Sequence, residues 1–135
     1  MEQKIFVNLP VKDLKKSVDF FTTLGFTFNP QFTDENATAM RISDDIYVML
    51  LVEKFFRTFI KKEITDARKT SEVIISLSAD SKAEVDRLVD KAFKGGAKPS
   101  NETQDMGWMY NRAFEDLDGH LWEVAYMDLS QMPKN

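Results

Sequence analysis

The hydrophobic pattern opens with a short strand, a helix and three further strands. Residues 4–10 alternate as a strand does, and residues 14–24 carry apolar side chains at helical spacing. Asp13 is the predicted N-cap of this helix, and Gly25 ends it. Three β-type runs then follow, separated by turn residues that predict an antiparallel meander. The predicted buried positions of the helix are Leu14, Val18, Phe21 and Leu24.

The same order recurs in the second half. Residues 73–79 form a predicted strand, Asp80 or Ser81 caps a predicted helix, and a glycine pair ends it. Further strands follow, and the turn 116–119 joins the last two into a hairpin. The predicted buried positions of this helix are Val85, Leu88, Val89 and Phe93.

The two halves therefore follow one plan. Val18 and Asp19 in the first helix match Val85 and Asp86 in the second, 67 residues later. The repeat predicts an α+β fold of two βαβββ modules, each with a helix on one sheet face, whose other faces form a curved mixed sheet around a cavity. We expect one domain over residues 1–135, with module one at 1–54, a connector at 55–71 and module two at 72–128.

Composition restricts the classes of partner. The chain has 135 residues, 43% of them hydrophobic, and its 18 basic and 22 acidic side chains give a net charge of −4, as in ordinary globular proteins. This balance argues against nucleic acid as a partner. Cysteine is absent, which excludes disulfides and thiolate chemistry and fits a cytoplasmic location. No segment has the length or hydropathy of a membrane span or a signal peptide, so we expect no membrane partner.

Two motifs carry a family resemblance over essentially the whole chain. VKDLKKSVDFFTTLGF begins at residue 11, and FEDLDGHLWEV begins at residue 114. Together with the duplicated βαβββ order they resemble the vicinal oxygen chelate superfamily, which includes glyoxalase I, bleomycin and fosfomycin resistance proteins and extradiol dioxygenases. Within it, the chain resembles small bacterial proteins described as predicted lactoylglutathione lyases.

The resemblance implies a divalent metal held by the first and last strand of each module. Placing the motifs on this chain puts the four implied ligand positions at Phe6, Met49, Ile74 and Glu123. Of these, only Glu123 offers a donor suited to a hard metal. A shift of two residues would reach Asn8 or Ser76, which are poor sole ligands. We therefore expect the family metal site to be lost and no cofactor to be required, with a divalent metal as the alternative.

His120 is the only histidine of the chain, so every motif that needs two histidines is excluded. Three residues before Glu123 in a strand, it should face the opposite side of the sheet. Two interpretations remain open for His120. It is either a structural residue beside the 116–119 turn, whose aspartates are explained by turn hydrogen bonds, or an acid/base group at the cavity mouth.

Glu123 is the candidate catalytic residue. A half-buried carboxylate needs a partner, and the candidates are Asn8, Tyr110 and Arg112. Its role stays open between a polar anchor or general base and a structural ion pair. The predicted ligand-binding residues are Phe6, Asn8, Met49, Ile74, Tyr110, Arg112 and His120, with none assigned to metal.

Aromatic residues in the connector and near residue 110 have two interpretations. Trp108, Met109, Tyr110, Phe55, Phe56 and Phe59 are either core or interface residues, or the lining of an apolar pocket. The three phenylalanines are the candidate contacts of a homodimer, because a short connector would otherwise expose much apolar surface.

Two functions follow as hypotheses. The first is a metal-free glyoxalase-like protein that binds a small, partly apolar ligand in a β cavity, as the antibiotic-sequestering members of the superfamily do. The alternative is a metal-dependent lyase or isomerase of the lactoylglutathione lyase type with Glu123 as ligand or base. A fosfomycin-type thiol transferase needs the same metal and is disfavoured for the same reason.

Overall fold

The computed structural model describes residues 2–134, which form two compact units. One unit ends at Thr65 and the other begins at Asp66, a boundary inside the segment 55–71. The single domain over residues 1–135 stays a prediction. Among the described residues, no helix combines the length and the apolar character needed to span a bilayer.

The first unit has the order βαβββ. Its sheet runs β1-β4-β3-β2, in which β1 and β4 are parallel and the other neighbours are antiparallel. A short helix and a 3₁₀ turn at Arg57–Phe59 follow the last strand. The elements are β1 (Ile5–Val11), α1 (Leu14–Thr23), β2 (Thr27–Asn29), β3 (Ala37–Arg41), β4 (Ile46–Val52) and α2 (Glu53–Phe56).

Helix α1 begins where the sequence predicts it. The Asp13 side chain accepts a hydrogen bond from the backbone N–H of Lys16, which satisfies one of the free donors of the first turn. The buried face is rotated from the predicted one, because Ser17 and Phe20 are buried while Leu14 and Val18 are only half-buried. The turn of Phe20, Phe21 and Leu24 packs most deeply, so the helix lies with positions 17, 20, 21 and 24 inward.

The strand register gives the first sheet two different faces. Val48, Leu50 and Met40 are almost completely buried on the face that packs with α1. Neighbouring strands place the alternate positions on the opposite side, which we call the open face of the first sheet. Its central residues are Phe6, Asn8, Ala39, Tyr47 and Met49.

The second unit repeats this order with one strand divided in two. Its sheet runs β5-β9-β8-β6, with β7 also paired to β8, and β5 is parallel to β9. The chain closes with a 3₁₀ turn at Leu129–Gln131. The elements are β5 (Ile74–Ser78), α3 (Lys82–Lys94), β6 (Lys98–Pro99), β7 (Gln104–Asp105), β8 (Met109–Glu115) and β9 (Leu121–Met127).

Ser81, one of the two predicted caps, begins helix α3 by accepting a hydrogen bond from the N–H of Glu84. The helix buries Val85, Leu88 and Val89 as predicted. Its fourth buried residue is Ala92, whereas Phe93 is half-buried beneath the guanidinium of Arg112. With a mixed sheet and one long helix in each unit, the predicted α+β class and its two βαβββ repeats are confirmed.

Candidate functional site

A cavity of about 470 Å³ lies on the open face of the first sheet. It forms there because β1 and β4 are parallel, with Phe6 beside Tyr47 and Asn8 beside Met49. Small side chains deepen it, since Ala39 lies opposite Met49 on β3. The cavity is lined by Lys4, Phe6, Asn8, Phe32, Ala39, Tyr47 and Met49.

The rings of Phe6 and Tyr47 stack on each other across the two strands. Their centroids are 5.4 Å apart, and their planes differ by 12°. Phe6 is on β1, an edge strand of its sheet, so Tyr47 covers one of its ring faces. Phe6 nevertheless remains 53% exposed, which leaves a large apolar ring open on this face.

A second cavity of about 340 Å³ adjoins the first on the same face. Three residues line both, namely Asn8, Phe32 and Met49, so the two cavities are direct neighbours. Phe55 and Phe59 form a wall of the second cavity and pack edge to face with centroids 5.0 Å apart. We call the combined space the aromatic groove.

Two of the three connector phenylalanines border the aromatic groove. Phe55 and Phe59 line a cavity, although the sequence favours core or interface for them. Phe56 is half-buried and is not among the lining residues. Whether Phe55, Phe56 and Phe59 contact a second copy stays a prediction.

Glu123 lies on the face of the second sheet opposite α3. The register places Ser76 beside it on β5 and Ala113 beside it on β8. The Ser76 hydroxyl donates to Glu123 Oε1 at 2.8 Å, and it is the partner the sequence analysis missed. Ile74 pairs with Leu121 instead, two positions from Glu123, and is 55% exposed.

Tyr110 and Arg112 were two of the three candidate partners of Glu123, and both bind other carboxylates instead. Alternation along β8 turns both toward α3, whereas the residue opposite Glu123 is Ala113. The Tyr110 hydroxyl donates to Asp86 Oδ1 at 2.7 Å, and Arg112 Nη1 donates to both Asp86 and Asp90 at 2.9 Å. Arg112 also borders a separate cavity of about 550 Å³ beside the 99–103 loop.

This network changes the acidity of its members. The Tyr110 hydroxyl, helped by the Arg112 guanidinium, lowers the pKa of the Asp86 carboxyl below its ordinary value of 3.8. The same hydrogen bond to a carboxylate raises the pKa of the Tyr110 phenol. Both shifts favour the ionised Asp86 paired with a protonated Tyr110, which is a structural arrangement between helix and sheet.

His120 lies in the turn before β9 rather than in the strand as predicted. Its backbone N–H donates to Asp116 Oδ1 at 3.0 Å, and its carbonyl accepts from the Asp116 N–H. Asp116 also accepts from Asp118 N and Trp122 Nε1. Burial of Asp116 raises the pKa of its carboxyl despite these donors. The Asp116 carboxylate thus holds the hairpin turn through hydrogen bonds, as the sequence indicates.

Asn111 shares the face of Glu123, two residues before Ala113 on β8. Its side-chain Oδ1 is buried and has no hydrogen-bond partner within the described part of the chain. A buried oxygen without a hydrogen-bond partner destabilises the fold. Besides the aromatic groove, Asn111 and Glu123 therefore mark a second place where a polar group of a ligand would be stabilised.

The four implied metal positions do not fit a divalent ion. Phe6 and Ile74 have no donor atom, and the Met49 thioether is a soft and weak ligand. Glu123 supplies one carboxylate, already bonded to Ser76. Over residues 2–134, no group of three or more His, Cys, Asp or Glu side chains is arranged to hold a metal.

Three predicted site residues of the first unit share one site, and the others lie in the second unit. Phe6, Asn8 and Met49 line the aromatic groove, whereas Glu123, Ile74, Tyr110, Arg112 and His120 belong to the second unit and line neither of its cavities. The sequence analysis missed Tyr47, which strand alternation from Met49 would have placed on the same face. It also missed Lys4 and Phe32, and Phe32 lies in a 3₁₀ turn that gives no periodic signal.

The sequence and the fold are similar to those of known proteins. Residues 3–43 match the family described as bleomycin resistance protein-like N-terminal. The hypothetical protein SA1046 from S. aureus is 33% identical, with a TM-score of 0.78 over 93% of this chain and 95% of that one. No match was found among curated protein sequences.

Two more distant structures have the same fold at 17% identity. A glyoxalase-related enzyme from Fulvimarina pelagi superimposes with a TM-score of 0.78 over 93% of this chain and 88% of its own. The fosfomycin resistance protein FosX from Mesorhizobium loti gives 0.69 over 97% of both chains. The duplicated fold, the N-terminal family match and these likenesses agree with the two sequence motifs. The chain therefore belongs to the vicinal oxygen chelate superfamily, which comprises the glyoxalase, bleomycin resistance and dioxygenase proteins.

Proposed function

We propose that this protein binds a small, partly apolar molecule in the aromatic groove without a metal ion. The observation that carries the proposal is the groove itself. Its two cavities, of about 470 and 340 Å³, have the size of small-molecule sites. Five aromatic side chains border them together with a few polar groups, the usual composition of a ligand pocket. These side chains are Phe6, Phe32, Tyr47, Phe55 and Phe59.

The residue types at the implied metal positions support binding over metal chemistry. Phe6 and Met49 lie in the wall of the groove, where their apolar side chains contact a ligand rather than coordinate an ion. Asn8 lies between the two cavities and donates from Nδ2 to the Phe6 carbonyl at 3.2 Å. This bond orients the amide and leaves its Oδ1 as an acceptor for a ligand N–H or O–H.

Fluorescence titration with N-phenyl-1-naphthylamine, a neutral aromatic probe, tests the proposal. We expect the wild-type protein to bind it and Phe6→Ala to weaken binding about tenfold, because a stacking partner and apolar contact area are lost. Ile5→Ala is the matched control, since Ile5 is equally exposed on the same strand but faces the other side. Absence of binding by the wild type, or an equal loss in Ile5→Ala, contradicts the proposal.

The metal-free part has its own test. Elemental analysis of the purified protein should find less than stoichiometric Ni, Zn, Mn and Fe, and EDTA should leave probe affinity unchanged. A stoichiometric transition metal would overturn this part while leaving probe binding intact.

A glyoxalase-type lyase is the second candidate, and the Ser76–Glu123 pair is the observation in its favour. The carboxylate is half-buried on the sheet face opposite α3, with one hydroxyl donor on Oε1. This candidate requires metal-dependent turnover of methylglyoxal with glutathione, abolished by Glu123→Gln. No turnover with added Ni²⁺ or Zn²⁺ excludes it.

We also propose that the protein forms a homodimer. Phe59 is 67% exposed although it belongs to the wall of the groove, so part of its ring is available to another chain. Light scattering should give twice the mass of one chain, and Phe59→Asp should lower it. A monomer at all concentrations would contradict the proposal.

A further inference from the structure

The aromatic groove has a charged residue at each end. Lys4 borders the cavity that contains Phe6, and Asp34 borders the cavity that contains Phe55. Only one of the two has an ion-pair partner within the described part of the chain. This difference determines which charge on a ligand the groove favours.

Lys4 is already paired. Its Nζ donates to Asp45 Oδ1 at 3.2 Å and to the carbonyl of Asp44 at 2.7 Å. The carboxylate cancels the ammonium charge, so this end of the groove offers a hydrogen-bond donor with little net charge.

Asp34 is hydrogen-bonded but not neutralised. Its Oδ1 accepts from the backbone N–H groups of Asn36 at 2.8 Å and Ala37 at 3.1 Å. Both donors are uncharged amides, and no Lys or Arg within residues 2–134 forms an ion pair with this carboxylate. Asp34 therefore keeps a negative charge at the edge of an apolar groove.

The register gives the distance between the aromatic end and the acidic end. Asp34 is bonded to Ala37, which pairs with Leu51, and Leu51 pairs with Pro10 on β1. Four residue steps along the strands separate Phe6 from Pro10, about 13 Å at 3.3 Å per residue, and Ala37 lies two strands from β1, about 10 Å across the sheet, so the two ends are about 16 Å apart. A molecule with a flat ring at one end and a charged group about that far away would reach both.

We infer that the aromatic groove selects cationic aromatic molecules, with a flat ring packed against Phe6 and a protonated amine beside Asp34. This inference rests on the proposed binding function and specifies its ligand class. The aromatic lining supplies affinity, and the unpaired carboxylate supplies the preference for positive charge.

Three probes that differ in one group test the preference. Each carries a naphthyl ring on a chain of about nine methylenes, long enough to reach from Phe6 to Asp34 at strand spacings of about 4.8 Å, and ends in a primary amine, a hydroxyl or a carboxylate. Calorimetry should show the amine binding about three- to tenfold more tightly than the alcohol, and the carboxylate more weakly than both.

Two neighbouring variants identify the source of the preference. Asp34→Asn retains an oxygen that can accept from Asn36 and Ala37, so it removes the charge while keeping the loop bonds. It should abolish the advantage of the amine and leave the alcohol unchanged. Glu35→Gln removes an adjacent charge that does not border the groove and should alter none of the three affinities.

Salt gives an independent readout. At about 1 M ionic strength, where charges are screened beyond about 3 Å, the amine and the alcohol should bind alike. The thermal stability of Asp34→Asn should match that of the wild type, which separates lost charge from a disturbed loop.

The outcomes distinguish the inference from the function on which it rests. Equal binding of all three probes, or an unchanged amine preference in Asp34→Asn, overturns the charge selectivity and leaves the binding function standing. If none of the probes binds, and Phe6→Ala instead lowers the mass measured by light scattering, a second copy of the chain occupies the groove and both proposals are wrong.

Discussion

Trp122 donates from its indole Nε1 to Oδ2 of Asp116 at 2.9 Å, and both side chains are buried. The bond joins strand β9 to the turn that precedes it. Asp116 Oδ1 accepts from the backbone N–H groups of Asp118 and His120, so one carboxylate holds three donors of the hairpin. The first aspartate of the D-x-D-G-H motif thus organises the turn, and Glu123 follows at a fixed distance along β9.

Asp116→Asn should destabilise the protein by about 1–3 kcal/mol, because an amide cannot accept from both the turn and the indole. The side-chain NH2 of asparagine would then face either the backbone N–H groups of the turn or the indole N–H, and two donors cannot bond each other. Urea unfolding of the wild type, Asp116→Asn, Trp122→Phe and the double variant measures the coupling. We expect the double variant to cost about 1 kcal/mol less than the sum of the single ones. Additive costs would show that the bond contributes nothing.

The raised pKa of Asp116 predicts the sign of a pH effect. Since the folded state binds this proton more tightly than the unfolded state, the contribution of Asp116 to stability is fully present below its ordinary pKa of 3.8. It is lost as the pH rises through the raised value. The stability difference between the wild type and Asp116→Asn should therefore change with pH in that window, as measured by urea unfolding, and a constant difference would contradict the prediction.

Asp86 should show the opposite dependence. Its pKa is lowered by Tyr110 and Arg112, so its contribution is present above 3.8 and is lost as the pH falls through the lowered value. Tyr110→Phe should cost about 1 kcal/mol at neutral pH, a modest figure because the Asp86 side chain is 45% exposed. The cost should shrink in acid. Asp90→Asn is the control, because Asp90 accepts from Arg112 but not from Tyr110. In this variant, Tyr110→Phe should cost as much as in the wild type.

Gly119 is enclosed by the segment that precedes β5. A Cβ at this position would lie 2.9 Å from Arg68 Cγ and 3.0 Å from the Ala67 backbone, and its φ of +91° is unfavourable for other residues. Gly107 has a similar φ of +83° but open space around it. Gly107→Ala should therefore cost about 1 kcal/mol from backbone strain, and Gly119→Ala clearly more, about 2–4 kcal/mol. Equal melting temperatures would contradict the close packing.

The Arg68 side chain gives that packing a second test. Its Nη2 donates to the carbonyl of Leu117 at 2.9 Å, so it attaches the start of the second unit to the 116–119 turn. Arg68→Met keeps most of the apolar stem and removes the donor, and it should cost about 0.5–1.5 kcal/mol. Arg68→Ala removes Cγ as well as the donor, so it should relieve part of the clash in Gly119→Ala, and that double variant should be more stable than additivity predicts. Strict additivity would contradict the contact.

The elements of the fold could be predicted because their signals are local. Asp13 and Ser81 cap their helices through bonds within one turn, and the glycines that end both helices act on adjacent residues. The repeat could be predicted for the same reason, because each module contains a helix N-cap, a glycine after the helix and turn residues between strands in the same order. The buried face of α1 could not, because Ser17 becomes buried only when the sheet covers it.

For the candidate site too, local patterns predicted some residues and the packing of distant segments decided others. Strand alternation placed Phe6 and Asn8 on one face, the family resemblance added Met49, and the residue types showed that three of the four implied metal positions lack a hard donor. Alternation did not say which face of β8 would be covered by α3, or which residues of β8 would lie opposite Glu123. Tyr110 and Arg112 were therefore named as candidate partners of Glu123, although they bind Asp86 on α3.

By itself, the sequence determined the order of elements, their caps, the superfamily motifs and the donor chemistry at four positions, because each of these depends on residue identity and near neighbours. Only the tertiary structure decided that Phe32 and the connector pair Phe55 and Phe59 complete a groove with Phe6. It also gave Glu123 a serine partner and left Asp34 without a cationic one among the described residues. These relationships join residues that are distant in the chain, and strand register and loop packing, rather than local preference, bring them together.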